Sequence, residues 1–450
     1  MKRLPVCFQS SLLRARYTFA FLAHFNVTMT PTFPPPSNPP DAKFLGLAPF
    51  LRMSIAGVDL KPVGESTLAA VQADPTQANL WMNLSTIMHG MGQRDLGLTL
   101  QTQALSLQRV YHLAAKHQPA RFRVLMLVMP GDLAANTPLD CLLEDNNIDL
   151  DFYFLGADEP FPEPLPDHDA LMVAMSESDD NLAHLHFLER ALDNWPRPII
   201  NAPCYIPDVD REKASQLLQN IPGLLMPPTL RATRAQIQAI AANHIPLNEC
   251  FQTCDFPIIL RPLGSQAGRD LAQLTTPQDI ADYLTRVPDA HFFISRFIDY
   301  SHADGFFRKI RIALIDGTPY ACHMAVSSNW MVHYINAGMY EEAWKRAEEL
   351  AFMDHFDNFT QHHQVALKAI AQAIPLDYVC IDCAQTADGD LLVFELDHAM
   401  IVHAMDTEEQ FPYKQIHMQK VKNAFCDMLA RRIASHDVRE TPSPPQSETP

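Results

Sequence analysis

The chain has 450 residues, of which 47% are apolar, long for one domain and enough to fill the cores of two or three. Its 52 acidic residues outnumber 34 basic ones and give a net charge of −18. That balance excludes nonspecific nucleic-acid binding, which needs a basic face to release counterions, and docking on an anionic membrane.

No stretch reaches the ~18 to 20 apolar residues of a membrane span. The 9 cysteines are odd in number and irregularly spaced, so a disulfide framework is not expected, and reduced thiols in the cytoplasm are. Cys380-x-x-Cys383 and Cys250-x-x-x-Cys254 have no matching second pair, which argues against zinc. With 36 Pro and only 15 Gly, a tight glycine cluster carries information.

Residues 1–29 hold Lys2, Arg3, Arg14 and Arg16 and the apolar run Tyr17 to Ala23. The charge sits too deep for a signal peptide and no small-residue cleavage site follows cleanly. A disordered extension, or a start upstream of the true one at Met29, is expected. Residues 30–40, TPTFPPPSNPP, read as a linker, because Pro lacks a donor and fixes its own φ. Residues 1–50 are thus leader and linker, and 434–450 a disordered tail.

Residues 51–120 read as helical. Trp81, Leu84, Met88, Leu96, Leu100, Ala104 and Leu107 recur at three- and four-residue steps, interrupted at Gly90 and Gly92. Trp81 and Leu84, the small residues Ser85, Gly97 and Ala104, and the preceding Pro75 resemble one tetratricopeptide unit of ~34 residues. A generic helical hairpin fits equally well. One or two hairpins cannot bury both faces, so the segment packs on its neighbour or on a partner, and a homo-oligomer stays open.

Residues 121–228 alternate strand and helix. Phe122 to Met129 is a continuous apolar run, as in a strand buried on both faces, and Leu150–Leu155, Ala170–Met175 and Pro198–Asn201 follow, with a helix over Asn181–Leu192. This is a small doubly wound α/β domain. It lacks a Gly-x-Gly-x-x-Gly turn after its first strand, which excludes the common dinucleotide site. Residues 229–433 read as α+β, with strands near 257–261, 291–298, 307–315, 319–326, 378–384 and 391–396, and helices near 233–243, 341–353, 361–373 and 412–432.

Three runs in this last segment carry chemistry. In FPIILRPLGSQAG a buried strand ends in Arg261 and runs into Gly264, Ser265 and Gly268. Glycines let backbone N–H groups approach an anion, and the cation neutralises it; an ordinary hairpin has the same composition. In the strand starting at Phe307, Lys309 and Arg311 share a face with apolar residues and call for an anion. Asp382, then Glu395 and Asp397 across the Asp388-Gly389 turn, fall on one face of a hairpin with apolar neighbours. Three such carboxylates repel unless a cation intervenes, and oxygen donors favour Mg²⁺ or Mn²⁺. A solvated hairpin edge is the alternative.

Taken in this order over about 120–433, these runs resemble the ATP-grasp superfamily, and within it the RimK-like and glutathione-synthetase-like carboxylate–amine ligases. The resemblance implies an α+β ATP-grasp fold preceded by a small α/β (pre-ATP-grasp) domain and an N-terminal helical hairpin segment. It implies that ATP lies between two antiparallel sheets. A carboxylate attacks the γ-phosphate to give an acyl-phosphate, and an amine displaces the phosphate. It assigns Arg261 to the place of a phosphate-binding Lys, Gly264, Ser265 and Gly268 to the phosphate loop, and Ser295 and Phe297 to the hinge facing adenine. Lys309 and Arg311 take the catalytic places, with Arg311 at the γ-phosphate. Asp382, Glu395 and Asp397 become Mg²⁺ (or Mn²⁺) ligands, the last where the family has Asn. The loop after Asp397 departs from the family, so the carboxylate and amine substrates are not transferred. The helical segment points to a peptide or protein among them. His398 and His403, and Trp330 and His333, are either packed residues or substrate contacts. An ATP-binding scaffold with a peptide-binding helical repeat, and a small-molecule kinase on the same fold, are the alternatives.

Overall fold

The computed structural model describes residues 42–156, 164–252, 254–265 and 268–440, with side chains to 436. The expected leader over 1–41 and the tail from 441 lie outside the described residues. Residues 42–50, expected to belong to the leader, are packed: Phe44 and Phe50 are buried, and helix α1 begins at Ala48 (Ala48–Ile55).

Helices α2 (Lys61–Ala73), α3 (Ala78–Gly90) and α4 (Arg94–Leu107) follow. The small residues do what the spacing demands. Ser85 Oγ donates to the Gly97 carbonyl at 2.7 Å, and a Cβ on Gly97 would strike the His89 ring at 2.7 Å. The helical segment ends at Leu107, short of the expected 120. Val110–Leu113 is instead β1, paired antiparallel to β3.

Among the described residues three sheets form. The first has the order β1-β3-β2-β4-β5, with β2 (Phe122–Val128), β3 (Ile148–Phe154), β4 (Ala170–Val173) and β5 (Ile199–Ile200) all parallel. Its apolar run is explained by two cores: Val124 and Met126 enter one, Leu125 and Leu127 the other. Helix α5 (Leu182–Ala191) follows β4, and α6 (Arg211–Leu217) starts at Asp210, whose carboxylate accepts from the Glu212 and Lys213 amides at 3.1 and 3.0 Å. After β6 (Leu224–Leu225) comes the second sheet, β7-β10-β8-β9, antiparallel throughout: β7 (Thr229–Thr233), β8 (Ile258–Pro262), β9 (Ala272–Leu274) and β10 (His291–Arg296). Helices α7 (Arg234–Ala241) and α8 (Pro277–Arg286), each opened by a capping box from Thr233 and Thr276, cover it.

The third sheet has the order β12-β11-β13-β14-β6, with β11 (Phe307–Ile315), β12 (Thr318–Ser327), β13 (Tyr378–Gln385) and β14 (Leu391–Asp397). Helices α9 (Ala343–Asp354), α10 (Phe356–His362) and α11 (Gln364–Ala373) pack on it, and α12 (Lys414–Glu440) closes the chain. The helix continues through 434–440, where a disordered tail was expected. No helix among the described residues is long and apolar enough to cross a membrane.

Candidate functional site

The second and third sheets share a cavity of about 160 Å³. Its apolar lining includes Phe293, Phe297, Ile298, Trp330, Leu392 and Phe394. The Phe297 and Trp330 rings meet edge to face at 5.6 Å, and the Tyr300 hydroxyl donates to the Trp330 carbonyl. Four cations, Arg211, Arg261, Arg296 and Lys309, line the same cavity with a single carboxylate, Glu395. In a chain of net charge −18 this is a local reversal of sign.

Register sets this arrangement. Arg261 on β8 lies opposite Phe293 on β10, so the cation and the aromatic wall share a face. Arg261 is 9% exposed, and its guanidinium donates to the Ser265 hydroxyl at 3.1 Å and to the Ser265 carbonyl. Among the described residues no carboxylate pairs with it. Burial first, and then the neighbouring Arg211, push it down to about 9, so it stays a cation at neutral pH. Ser265 thus serves to hold Arg261. Gly264 and Gly268 both have positive φ, 67° and 69°. Gly268 lines the cavity, where a Cβ would stand 2.5 Å from His333 Nε2. Ser295 and Phe297 also line it. The Phe297 amide already donates to the Pro257 carbonyl at 2.9 Å, so what Phe297 offers a ligand is its ring, not its amide.

On the third sheet Arg311 lies opposite Asp382, and Asp382 opposite Glu395; the β11–β12 ladder shifts register after Arg311 and the β13–β14 ladder after Asp382. These bulges re-aim side chains where the charges gather. Asp382 is 1% exposed. It takes Arg311 Nε at 2.7 Å, Arg311 Nη2 at 3.0 Å and Lys309 Nζ at 2.7 Å. Burial alone would raise its carboxyl, but Arg311 and then Lys309 outweigh burial and hold it well below the usual carboxylate range. Glu395 pairs with Arg211, which also reaches the Phe394 carbonyl at 3.4 Å. Asp397 accepts from the Ala399 amide at 2.8 Å.

The expected convergence of three bare carboxylates is therefore replaced by two paired to Lys or Arg, Asp382 and Glu395, and by Asp397 held by the Ala399 amide. Among the described residues no three Asp, Glu, His or Cys side chains gather closely enough to cage a metal. The donor set still suits a hard cation of the kind that takes one or two carboxylates and completes its shell with substrate phosphates. Glu395 lines the cavity and Asp397 is two residues along the same strand face. Asp382 has both oxygens committed to cations.

Arg211 was not found from the sequence, since it stands 184 residues from Glu395; the Asp210 cap beside it was the sole local cue. A second missed group lies behind Arg311, whose Nη1 donates to the Ile401 carbonyl at 3.0 Å. There Lys414 Nζ donates to Asp406 at 2.9 Å and to the Tyr334 hydroxyl at 2.6 Å, while Glu349 accepts from Tyr334 at 2.8 Å and Tyr413 at 2.7 Å. This network pins the 398–413 loop to the sheet. His398 is fully buried and its Nε2 bonds the Met175 carbonyl at 2.9 Å, a packed residue. Burial pushes His403 down to about 4. His333 and Trp330 line the cavity.

No protein-family model and no curated protein matches the sequence. Among solved structures the chain is similar to a D-alanine–D-alanine ligase from Bacillus anthracis complexed with ATP, at 13% identity over 71% of this chain and 99% of that one, TM-score 0.42. It is also similar to a RimK domain ATP-grasp protein from Sphaerobacter thermophilus, at 14% identity over 69% and 99%, TM-score 0.39. Likeness at this level decides nothing about the chemistry, which rests on the side chains above.

Proposed function

We propose that the protein is an ATP- and Mg²⁺-dependent ligase of the ATP-grasp kind that joins a carboxylate to an amine through an acyl-phosphate. One observation carries the reading: four cations and one carboxylate line a cavity that also has aromatic and aliphatic walls, and one of those cations, Arg261, is buried with no acidic partner among the described residues. A nucleotide matches both kinds of lining, with a flat apolar base and a polyanionic tail. Desolvated cations without partners cost stability unless an anion compensates.

In this reading Phe297 and Trp330 enclose the base, while Arg261 and the backbone at Gly268 take the phosphates. Lys309 and Arg311 lie beside the terminal phosphate and stabilise charge as it develops on the transferring group. The substrate carboxylate oxygen bonds to the γ-phosphorus as the bond to the β-bridging oxygen breaks, releasing ADP. The amine nitrogen then bonds to the acyl carbon, phosphate leaves, and the amine loses a proton. Glu395 and Asp397 are the residues that would hold a divalent cation, which when bound neutralises phosphate oxygens. Asp382 orients Lys309 and Arg311.

The test is to incubate the chain with ATP, Mg²⁺, hydroxylamine and a panel of amino acids and dipeptides. A hydroxamate formed in step with ADP is the expected result. Labelled phosphate in a stable ester instead identifies a kinase. A second reading, nucleotide binding without turnover, is favoured by the complete pairing of Asp382; tight ATP binding with no ADP across the panel would select it.

A further inference from the structure

We infer that a second cavity, between the helical segment and the first sheet, is a binding site for a small molecule with a primary ammonium group on a short apolar body. The cavity measures about 100 Å³ and shares no lining residue with the nucleotide cavity. It opens at the carboxyl ends of β2 and β3, since Val128 and Phe154, the last residues of those strands, line it. Open α/β sheets take their ligands at that end.

Two polar atoms at this cavity lack partners. Thr137 is 2% exposed and its Oγ1 makes no hydrogen bond, although its amide is fixed to the Ala174 carbonyl at 2.7 Å. His89 Nε2 is likewise buried without a partner, and burial keeps this ring neutral, so it can accept. Buried polar atoms are rarely left unpaired in a finished structure. Both line the cavity, and a ligand that donates hydrogen bonds satisfies both.

Charge selects among donors. The lining includes the carboxylates Asp132 and Asp140 and no Lys or Arg. Asp140 is 5% exposed and held in place by the Leu47 and Ala48 amides at 2.6 and 3.0 Å. Asp132 sits at the rim, paired with Arg94 at 2.8 Å. Phe152 and Phe154 complete the wall, and aromatic faces attract cations. The only charged groups in the lining itself are carboxylates, which disfavour an anion, and a neutral alcohol leaves their field unused.

The experiment is a saturation-transfer NMR titration of the full chain with three probes of matched size, n-butylammonium, n-butanol and butyrate. The site predicts a Kd on the order of millimolar for n-butylammonium, as befits so few heavy atoms, binding at least about tenfold weaker for n-butanol, and none for butyrate. Thr137→Val removes the orphan hydroxyl at constant shape and should weaken n-butylammonium about fivefold. Asp132→Asn, on the rim where folding is not at stake, should weaken it by a similar factor. Equal binding of the three probes, unchanged affinity in either variant, or no binding of n-butylammonium at all overturns the proposal and leaves a hydrated void.

Discussion

Two charged regions flank the cavity between the second and third sheets, and they balance their charge differently. On the third sheet, Asp382 is enclosed by Lys309 and Arg311 in a set of ion pairs complete within the chain. On the second sheet, Arg261 is also buried but held only by the hydroxyl and carbonyl of Ser265. The first region needs nothing from outside and keeps the strands in register. The second is electrostatically unfinished until an anion arrives. Depth of burial therefore says little about the role of a charge; whether its partner belongs to the chain says more.

The largest expected effect is on turnover. Glu395→Gln keeps the shape but removes the one carboxylate of the cavity, and ADP release in a coupled assay should fall by about a thousandfold; unchanged turnover would end the ligase reading. Next is the completed region itself. Asp382→Asn removes the buried carboxylate that balances two part-buried cations, and urea unfolding should show a loss of about 3–5 kcal/mol.

A third test uses acid. Folding holds His403 neutral, because burial lowers its pKa to about 4. Between pH 6.5 and 4 the unfolded chain binds a proton there that the folded chain does not, so stability falls as pH drops through this window. The loss is at most about 3 kcal/mol, and His403→Gln should flatten the curve there. Asp382 contributes with the opposite kind of group: its carboxyl is depressed, so its share is present above the unfolded carboxylate pKa and lost below about pH 4.

Arg261→Met should give the signature opposite to that of Asp382→Asn. Stability is unchanged or higher, because an uncompensated buried cation is gone, while ATP affinity by fluorescence titration falls about tenfold to a hundredfold. A parallel loss of stability in both variants would erase the distinction between the two regions. The smallest effect belongs to the apolar lining, where Trp330→Ala should weaken ATP about fivefold.

Much of this was legible in the chain. The run Phe122 to Met129 read as a doubly buried strand because both of its faces meet apolar cores. The spacing of Asp382, Glu395 and Asp397 gave their common face. Their salt bridges were not legible, because Asp382 meets Arg311 only through the β11–β13 pairing, across 71 residues of sequence. The Arg211–Glu395 pair spans 184 residues and left no periodic trace. Val110–Leu113 was taken for helix because four residues at a sheet edge cannot establish alternation. The helix through 434–440 went unread because its sequence, ASHDVRE, is as polar as a tail.

The central claim is that the cationic lining of the cavity exists to hold a triphosphate. Competition binding of ATP against adenosine on the purified chain tests it most directly. ATP should bind at least about a hundredfold more tightly, with most of that preference lost in Arg261→Met. Equal affinity for the two, or binding of neither, would contradict the account.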